Sequence, residues 1–271
     1  MTSEQTNRRT PVEIPKRTRL MRRDQRFVLL GSCFAQYMGE RFRSEGIDSL
    51  CNPLGAAYNP ESITIQVRQA LRGGDIGQTD SIFQFDGKWR CWWANTLLSD
   101  TDEARFRRTI EDTFSQLGNA LRQADYLFVT LGTNVCYRLR DNGMTVANCH
   151  KVPARVFEEV TVPLEACIET LDSLLHLLAE ECPQLQVVFT VSPYRYRKYG
   201  LHGSQLAKAT LLLAADRVCK LHPEQAAYFP AYEILLDELR DYSFYAEDMI
   251  HPAPEAVDYI WHRLTETWLI L

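Results

Sequence analysis

Short apolar runs alternate with long segments of mixed polarity along most of this 271-residue chain. A short apolar run that ends at small or polar residues is typical of a buried strand, whereas apolar residues three and four apart predict a helix packed on one face. Phe106, Ile110 and Phe114 show the second pattern. Strands are expected at 26–31, 127–131 and 185–191, and helices at 33–45, 60–72, 102–122, 163–181, 204–221 and 253–269. This alternation predicts βαβ units in a mainly parallel sheet, and hence a three-layer α/β/α sandwich.

Three stretches depart from this alternation. Residues 1–25 carry Pro11 and Pro15, which break any helix, so an N-terminal extended arm is expected before a single domain over 26–271. Segments near 83–99 and 135–160 are expected to be insertions over the carboxyl edge of the sheet. Within the first, the pair Asp86-Gly87 predicts the turn of a hairpin.

Composition excludes several function classes. The formal net charge of −5 and the lack of a basic, aromatic-rich block give no reason to expect nucleic-acid binding. No apolar run is long enough for a membrane helix, and the polar first residues do not resemble a secretory signal. The eight cysteines are scattered and contain no CxxC pair, so they are expected to be reduced thiols of a cytoplasmic protein. Neither a metal nor a cofactor is expected. The oligomeric state is left open.

The segment Gly31-Ser32-Cys33 is the first candidate for chemistry. It follows an apolar run and opens a helix, so a strand–turn–helix unit would place a nucleophile at the carboxyl end of a sheet strand. The helix N-terminus favours negative charge, which suits a thiolate or an oxyanion. The alternative is that Cys33 is only a small buried residue that a tight turn requires.

Two further segments could complete such a site. Gly132-Thr133-Asn134 ends a second apolar run, and Asp248 stands three residues before His251, just ahead of the last helix. That spacing lets one turn bring a carboxylate to an imidazole nitrogen, which would orient a general base. The alternative is a helix-entry motif in which Asp248 caps a turn and Pro252 starts the helix.

Taken in chain order, these segments resemble the SGNH/GDSL hydrolase superfamily, and Gly31-Ser32-Cys33-Phe34-Ala35 resembles its bacterial GSCFA-domain family. Further segments similar to that family lie at 52–55, 58–60, 146–151, 228–233 and 237–251. The resemblance covers nearly the whole chain and implies the SGNH/flavodoxin-like form of the α/β/α fold.

The resemblance also implies roles for individual residues. Cys33 would be the nucleophile, His251 the general base and Asp248 its orienting partner. The superfamily has Asp-Ser where this chain has Ser32-Cys33, so a register shifted by one residue leaves Ser32 as the alternative nucleophile. A nearby imidazole is expected to lower the pKa of the thiol. The oxyanion would be held by the N–H groups of Cys33 and Gly55 and by the Asn134 amide.

The implied activity is that of an ester hydrolase or O-acyltransferase on a small acyl ester, such as an ester of a carbohydrate. The basic, aromatic loop 192–208 offers Arg195 and Tyr196 for such a substrate, and His150 is expected on a pocket-lining loop. The loop departs from the family, which has His where Tyr196 stands and Asn where Ser204 stands. Two alternatives stay open: a non-catalytic ligand-binding or carbohydrate-binding protein that keeps the fold, which the altered first block favours, and a redox-sensing thiol at Cys33.

Overall fold

The computed structural model describes residues 10–17, 20–73, 76 and 80–271. The helices are α1 (Cys33–Ser44), α2 (Pro60–Leu71), α3 (Glu103–Gln123), α4 (Leu164–Glu181), α5 (Gly200–Leu221), α6 (Ala231–Glu233) and α7 (Pro254–Thr267). The strands are β1 (Met21–Arg22), β2 (Phe27–Gly31), β3 (Ser49–Cys51), β4 (Ile82–Phe85), β5 (Lys88–Cys91), β6 (Tyr126–Leu131), β7 (Val135–Leu139), β8 (Thr145–Val146), β9 (Phe157–Thr161), β10 (Gln186–Val191), β11 (Ala226–Tyr228) and β12 (Leu269–Ile270). None of the helices within these described ranges is long and apolar enough to cross a membrane.

A five-stranded parallel sheet lies at the centre, in the order β11-β10-β6-β2-β3. Numbered along the chain, these strands stand 5-4-3-1-2, which is the flavodoxin-like order. The order reverses between β2 and β6, because the chain leaves β2 toward one edge and β6 toward the other. The carboxyl ends of these two strands therefore flank the crevice in which open sheets of this kind bind ligands.

Alternate residues of each central strand face opposite layers. Val28 and Leu30 of β2 belong to one buried cluster, shared with α2, α3, α4 and α5. Phe27 and Leu29 belong to a second cluster, shared with α1 and α7. Every residue of β2 is buried, because the sheet carries helices on both faces. The predicted three-layer α/β/α sandwich with a mainly parallel sheet is confirmed.

Some elements differ from the expectation. Strand β3 lies in a stretch for which no strand was expected. It has only three residues, and it forms by pairing with β2. Helix α5 begins four residues before the expected 204. The predicted hairpin is confirmed: β4 and β5 are joined by a turn at Asp86 and Gly87, where φ is 51° and 68°. A three-stranded antiparallel sheet, β8-β7-β9, occupies the region around 135–160.

The described part of the N-terminal arm packs on the C-terminal end of the chain. Residues 10–17 form neither helix nor strand, and β1 pairs in parallel with β12. The Val12 N–H donates to Glu238 at 3.0 Å, and the indole of Trp268 donates to the Pro15 carbonyl at 2.8 Å. The rest of the expected arm, 1–9 and 18–19, lies outside the described residues.

Candidate active site

The turn after β2 depends on a glycine. Gly31 has φ +126°, and a Cβ at this position would lie 2.1 Å from the carbonyl oxygen of Thr130. Only glycine lets β2 end this close to β6. Asn52 holds the turn from the other side: its side-chain oxygen accepts the Gly31 N–H at 2.9 Å, and its amide donates to the Gly31 carbonyl at 3.2 Å.

The next two residues occupy different environments. Ser32 is the N-cap of α1 and is buried, and its hydroxyl has no hydrogen-bond partner among the described residues. Its backbone N–H donates to the Thr130 carbonyl at 3.0 Å, which fixes it against β6. Cys33, the first residue of α1, is half-buried and lines a cavity of about 430 Å³. The side chain that borders open space is that of Cys33.

Burial raises the pKa of the Cys33 thiol. Its own backbone N–H, the Lys208 ammonium and the Phe34 N–H act in the opposite direction, and Asp248 adds a smaller upward shift. The expected lowering of this pKa by an imidazole is wrong, because loss of solvation outweighs the favourable groups at the helix start. Cys33 is therefore a thiol at neutral pH, and its attack on a carbonyl would need a general base.

The expected general base, His251, lines the same cavity. Its Nδ1 lies 2.5 Å from Oδ2 of Asp248. Oδ1 of Asp248 accepts the backbone N–H groups of Ile250 at 2.8 Å and His251 at 3.0 Å. These bonds, led by the backbone N–H of His251, lower the pKa of the Asp248 carboxyl to about 2. A carboxylate that accepts from Nδ1 leaves Nε2 as the unprotonated nitrogen, which is the form a base requires.

The loop that carries His251 is held on several sides. The Ala246 N–H donates to the His251 carbonyl at 2.8 Å, and Met249 adopts a left-handed φ of 58°. Arg195 binds this loop twice, through its backbone N–H to the Ile250 carbonyl at 3.0 Å and through Nη1 to the Met249 carbonyl at 3.2 Å. The guanidinium also stacks over the rings of Tyr242 and Tyr245. Arg195, expected to bind substrate, thus supports the His251 loop, and it also lines the larger cavity described below.

The cavity wall is aromatic and basic. Its lining residues are Cys33, Tyr58, Tyr194, Tyr196, Arg197, Lys198, Ile250 and His251. The Tyr194 ring packs edge-on against His251 at 4.8 Å, and Tyr196 stacks on Tyr199 at 5.1 Å. Burial raises the pKa of Tyr58 to about 12, so that its hydroxyl keeps its proton at neutral pH. A larger cavity of about 890 Å³ shares Tyr194 with this one.

Of the three expected oxyanion donors, two have partners elsewhere in the chain. The Gly55 N–H donates to the Asn52 carbonyl at 2.8 Å inside its own turn. The buried Asn134 amide donates to the Val162 carbonyl at 2.8 Å. Neither residue lines the Cys33 cavity. The N–H of Cys33 differs, because the first N–H groups of a helix have no acceptor within that helix.

His150 lies in the core, away from the Cys33 cavity. It is 2% exposed, and the rings of Phe83 and Trp92 pack against it. Its Nε2 lies 2.8 Å from the Cys91 carbonyl, which can only accept, so Nε2 carries the proton and Nδ1 accepts from Thr96 at 3.0 Å. Burial lowers the pKa of His150 to about 4.

A buried lysine, for which no role was expected from the sequence, lies beneath the site. Lys208 is 1% exposed, and its ammonium donates to the Gly132 carbonyl at 2.6 Å. Burial lowers its pKa to about 7, and the negative charge that Cys33 would carry acts to raise it. Tyr58 and Tyr194 were likewise given no role. One sequence signal could have identified Lys208 as unusual: it lies on the apolar face of the helix expected at 204–221.

Comparison with known proteins identifies a family. Residues 26–264 match the model of the GSCFA family, in agreement with the resemblance drawn from the sequence. None of the curated protein sequences matches this chain.

Several solved structures are similar in outline. A protein of Parabacteroides merdae proposed as a GDSL-like lipase has 9% identity and a TM-score of 0.46, with 91% of this chain and 98% of that one covered. The psychrotrophic esterase EstA of Pseudoalteromonas sp. has 10% identity and a TM-score of 0.42, with 90% and 96% covered. An acetyl xylan esterase of Butyrivibrio proteoclasticus has 12% identity and a TM-score of 0.43, with 94% and 64% covered.

Proposed function

The chain belongs to the GSCFA family, and we propose that it is an acyl-transfer enzyme, an ester hydrolase or O-acyltransferase, with Cys33 as its nucleophile. The observation that carries this proposal is the meeting of Cys33 and His251 on one cavity, at the point where the strand order of the sheet reverses. Asp248 holds His251 in the tautomer of a general base.

In the first half-reaction, Cys33 Sγ attacks the carbonyl carbon of the ester. The thiol proton passes to Nε2 of His251, and the new imidazolium is stabilised by the Asp248 carboxylate. The tetrahedral intermediate collapses with cleavage of the bond between the carbonyl carbon and the alcohol oxygen. The alcohol leaves with the proton from His251, and the acyl group remains on Cys33 as a thioester.

In the second half-reaction, an acceptor hydroxyl attacks the thioester. His251 takes the acceptor's proton and returns one to Sγ as the carbon–sulfur bond breaks. With water as acceptor the product is a carboxylic acid, and with a second alcohol it is a new ester. The two outcomes use the same residues and differ only in which hydroxyl enters the cavity.

The developing oxyanion is proposed to lie at the N-terminus of α1. Cys33 is the first residue of α1, so its N–H has no acceptor within that helix, and the helix dipole places partial positive charge there. Of the other two expected donors, the Gly55 N–H would have to release the Asn52 carbonyl before it could contribute. The Asn134 amide has a second N–H besides the one that donates to the Val162 carbonyl.

The cavity supports a small, hydroxyl-bearing substrate such as an acetylated carbohydrate. Its volume of about 430 Å³ lies near the lower end of the roughly 300–1,000 Å³ usual for small-molecule sites. Tyr196 and Tyr58 offer ring faces and hydroxyl groups, and Arg197 and Lys198 offer donors to polar oxygens.

A non-catalytic binding protein is the second candidate, and two observations favour it. The donors of Gly55 and Asn134 are engaged with backbone carbonyls, and the Cys33 pKa is raised rather than lowered. A protein of this kind would bind an ester or a sugar at the same cavity and release it unchanged.

The test is brief exposure to p-nitrophenyl acetate followed by peptide mapping by mass spectrometry. We expect acetyl on Cys33 in the wild-type chain and none there in His251→Ala. The matched control is His262→Ala, since His262 also pairs with a carboxylate, that of Glu266, but lies exposed on α7. Ester hydrolysis that survives Cys33→Ala would overturn the proposal, and binding of an acetylated sugar without any turnover would favour the second candidate.

A further inference from the structure

Three potential metal ligands meet on the helices that cover one face of the sheet. Asp172 and His176 lie one turn apart on α4, and His222 is the residue that ends α5. Oδ1 of Asp172 lies 2.6 Å from Nε2 of His222, and Oδ2 lies 3.5 Å from Nε2 of His176. The two imidazole rings meet edge to face, with centroids 5.1 Å apart. Both histidines therefore turn the same nitrogen toward one carboxylate.

The backbone around this cluster is well fixed. The His222 N–H donates to the Val218 carbonyl at 2.9 Å, and the His222 carbonyl accepts the Ala226 N–H at 2.9 Å. The side chain of Gln225 donates to the Leu175 carbonyl at 3.0 Å, which ties the end of α5 to α4. The His222 side chain is only 17% exposed, whereas that of His176 is 67% exposed. His222 is thus a fixed, largely buried ligand, and His176 lies on the solvent side of the cluster.

We propose that Asp172, His176 and His222 form a binding site for a zinc-like divalent transition metal ion. One ligand atom from each residue lies within 4.8 Å of the others. Ligands at 2.0–2.2 Å from a tetrahedral ion are separated by about 3.3 Å, so small side-chain adjustments would suffice. Two imidazoles and one carboxylate suit zinc, nickel or copper better than calcium or magnesium, which prefer oxygen ligands. Water would complete the coordination.

This site lies at the amino ends of the parallel strands, whereas Cys33 lies at their carboxyl ends. His222 precedes the amino end of β11, whereas Cys33 follows the carboxyl end of β2, and the two strands run parallel in one sheet. The ion would therefore take no part in acyl transfer. It would link α4 to the end of α5 and stabilise the packing of these neighbouring helices.

The test is calorimetric titration of the full chain with zinc chloride. We expect one zinc ion per chain for the wild type, and binding at least about a hundredfold weaker in His176→Gln and Asp172→Asn. His262→Gln is the matched control, because His262 forms a similar exposed pair with Glu266 one turn away and belongs to no three-ligand group within the part of the chain that the structure describes. All eight cysteines remain in these variants, so loss of binding assigns the ion to the cluster.

Thermal unfolding gives a second readout. His176 is largely exposed, so His176→Gln should unfold at the wild-type temperature without metal. Saturating zinc should raise the unfolding temperature of the wild type by about 3 °C or more and leave that of His176→Gln unchanged. Equal zinc binding by the wild type and His176→Gln, or none by either, would overturn the proposal.

Discussion

The guanidinium of Arg195 donates to the carbonyl oxygen of Met249 at 3.2 Å, two residues before His251. Its backbone N–H makes a second bond to the next carbonyl, that of Ile250, at 3.0 Å. The loop after β10 and the loop before α7 are thereby joined next to the proposed general base. Arg195, expected from the sequence to bind substrate, thus supports the loop that carries this imidazole.

Replacement of this arginine tests the positioning role. Arg195→Ala removes the bond to Met249 and the stacking on Tyr242 and Tyr245. We expect kcat for an acyl ester to fall about ten- to a hundredfold with KM nearly unchanged, because a misplaced base slows chemistry more than binding. Steady-state kinetics on a set of p-nitrophenyl esters measures both.

Arg197→Ala is the matched control, since Arg197 lines the Cys33 cavity and belongs to the same loop. It should raise KM for anionic or polar esters and leave kcat close to the wild-type value. A rise in KM alone for Arg195→Ala would instead support the substrate-binding role expected from the sequence.

Substitution of Ser32 separates the two proposed nucleophiles. The Ser32 hydroxyl is buried without a partner among the described residues, so Ser32→Ala should leave stability unchanged or raise it by up to about 1 kcal/mol. Acylation by p-nitrophenyl acetate should stay within about twofold of the wild-type rate, whereas Cys33→Ala abolishes it. Loss of acylation in Ser32→Ala with Cys33 intact would make Ser32 the nucleophile.

His150 should make the protein less stable in mild acid. Burial lowers its pKa to about 4, whereas the unfolded chain takes up the same proton near the ordinary value of about 6.5. Between these values the unfolded state binds more protons, so the free energy of unfolding falls as the pH drops. The contribution of His150 between about pH 7 and pH 4.5 is roughly 2 kcal/mol.

Urea unfolding at the two pH values measures this difference. His150→Gln should lose that part of the pH dependence, while His202→Gln, a substitution of an exposed histidine on α5, should keep it. The same loss of stability in acid for His150→Gln and the wild type would show that His150 is not the residue responsible.

Gly31 should tolerate no side chain. Gly31→Ala places a Cβ 2.1 Å from the Thr130 carbonyl at a φ of +126°, and we expect a loss of about 3 kcal/mol or more. Gly143→Ala is the matched control, since Gly143 also has a positive φ, +72°, but none of the described residues lies within 4 Å of its Cβ position. That variant should lose only about 1 kcal/mol. Equal losses in denaturant unfolding would contradict the steric argument.

Local sequence determined the main elements and the start of the site. An apolar run followed by Gly31-Ser32-Cys33 and an amphipathic segment specifies strand, turn and helix, because each depends on neighbours in the chain. The Asp248–His251 pair was predictable for the same reason, since a three-residue spacing closes the contact within one turn. Strand β3 was not, because three half-buried residues form a strand only against β2.

Only the tertiary structure decided which side chains share the cavity. Asn134 and Gly55 suit an oxyanion hole in sequence, yet the Gly55 N–H and one N–H of the Asn134 amide donate to backbone carbonyls. His150, expected on a pocket loop, is enclosed by Phe83 and Trp92. The Cys33 pKa rises because burial, a property of the packed whole, outweighs the favourable charge of a helix start. The physical reason is common to these cases: hydrogen-bond partners and solvent exposure are set by distant segments, and no local pattern of residues encodes them.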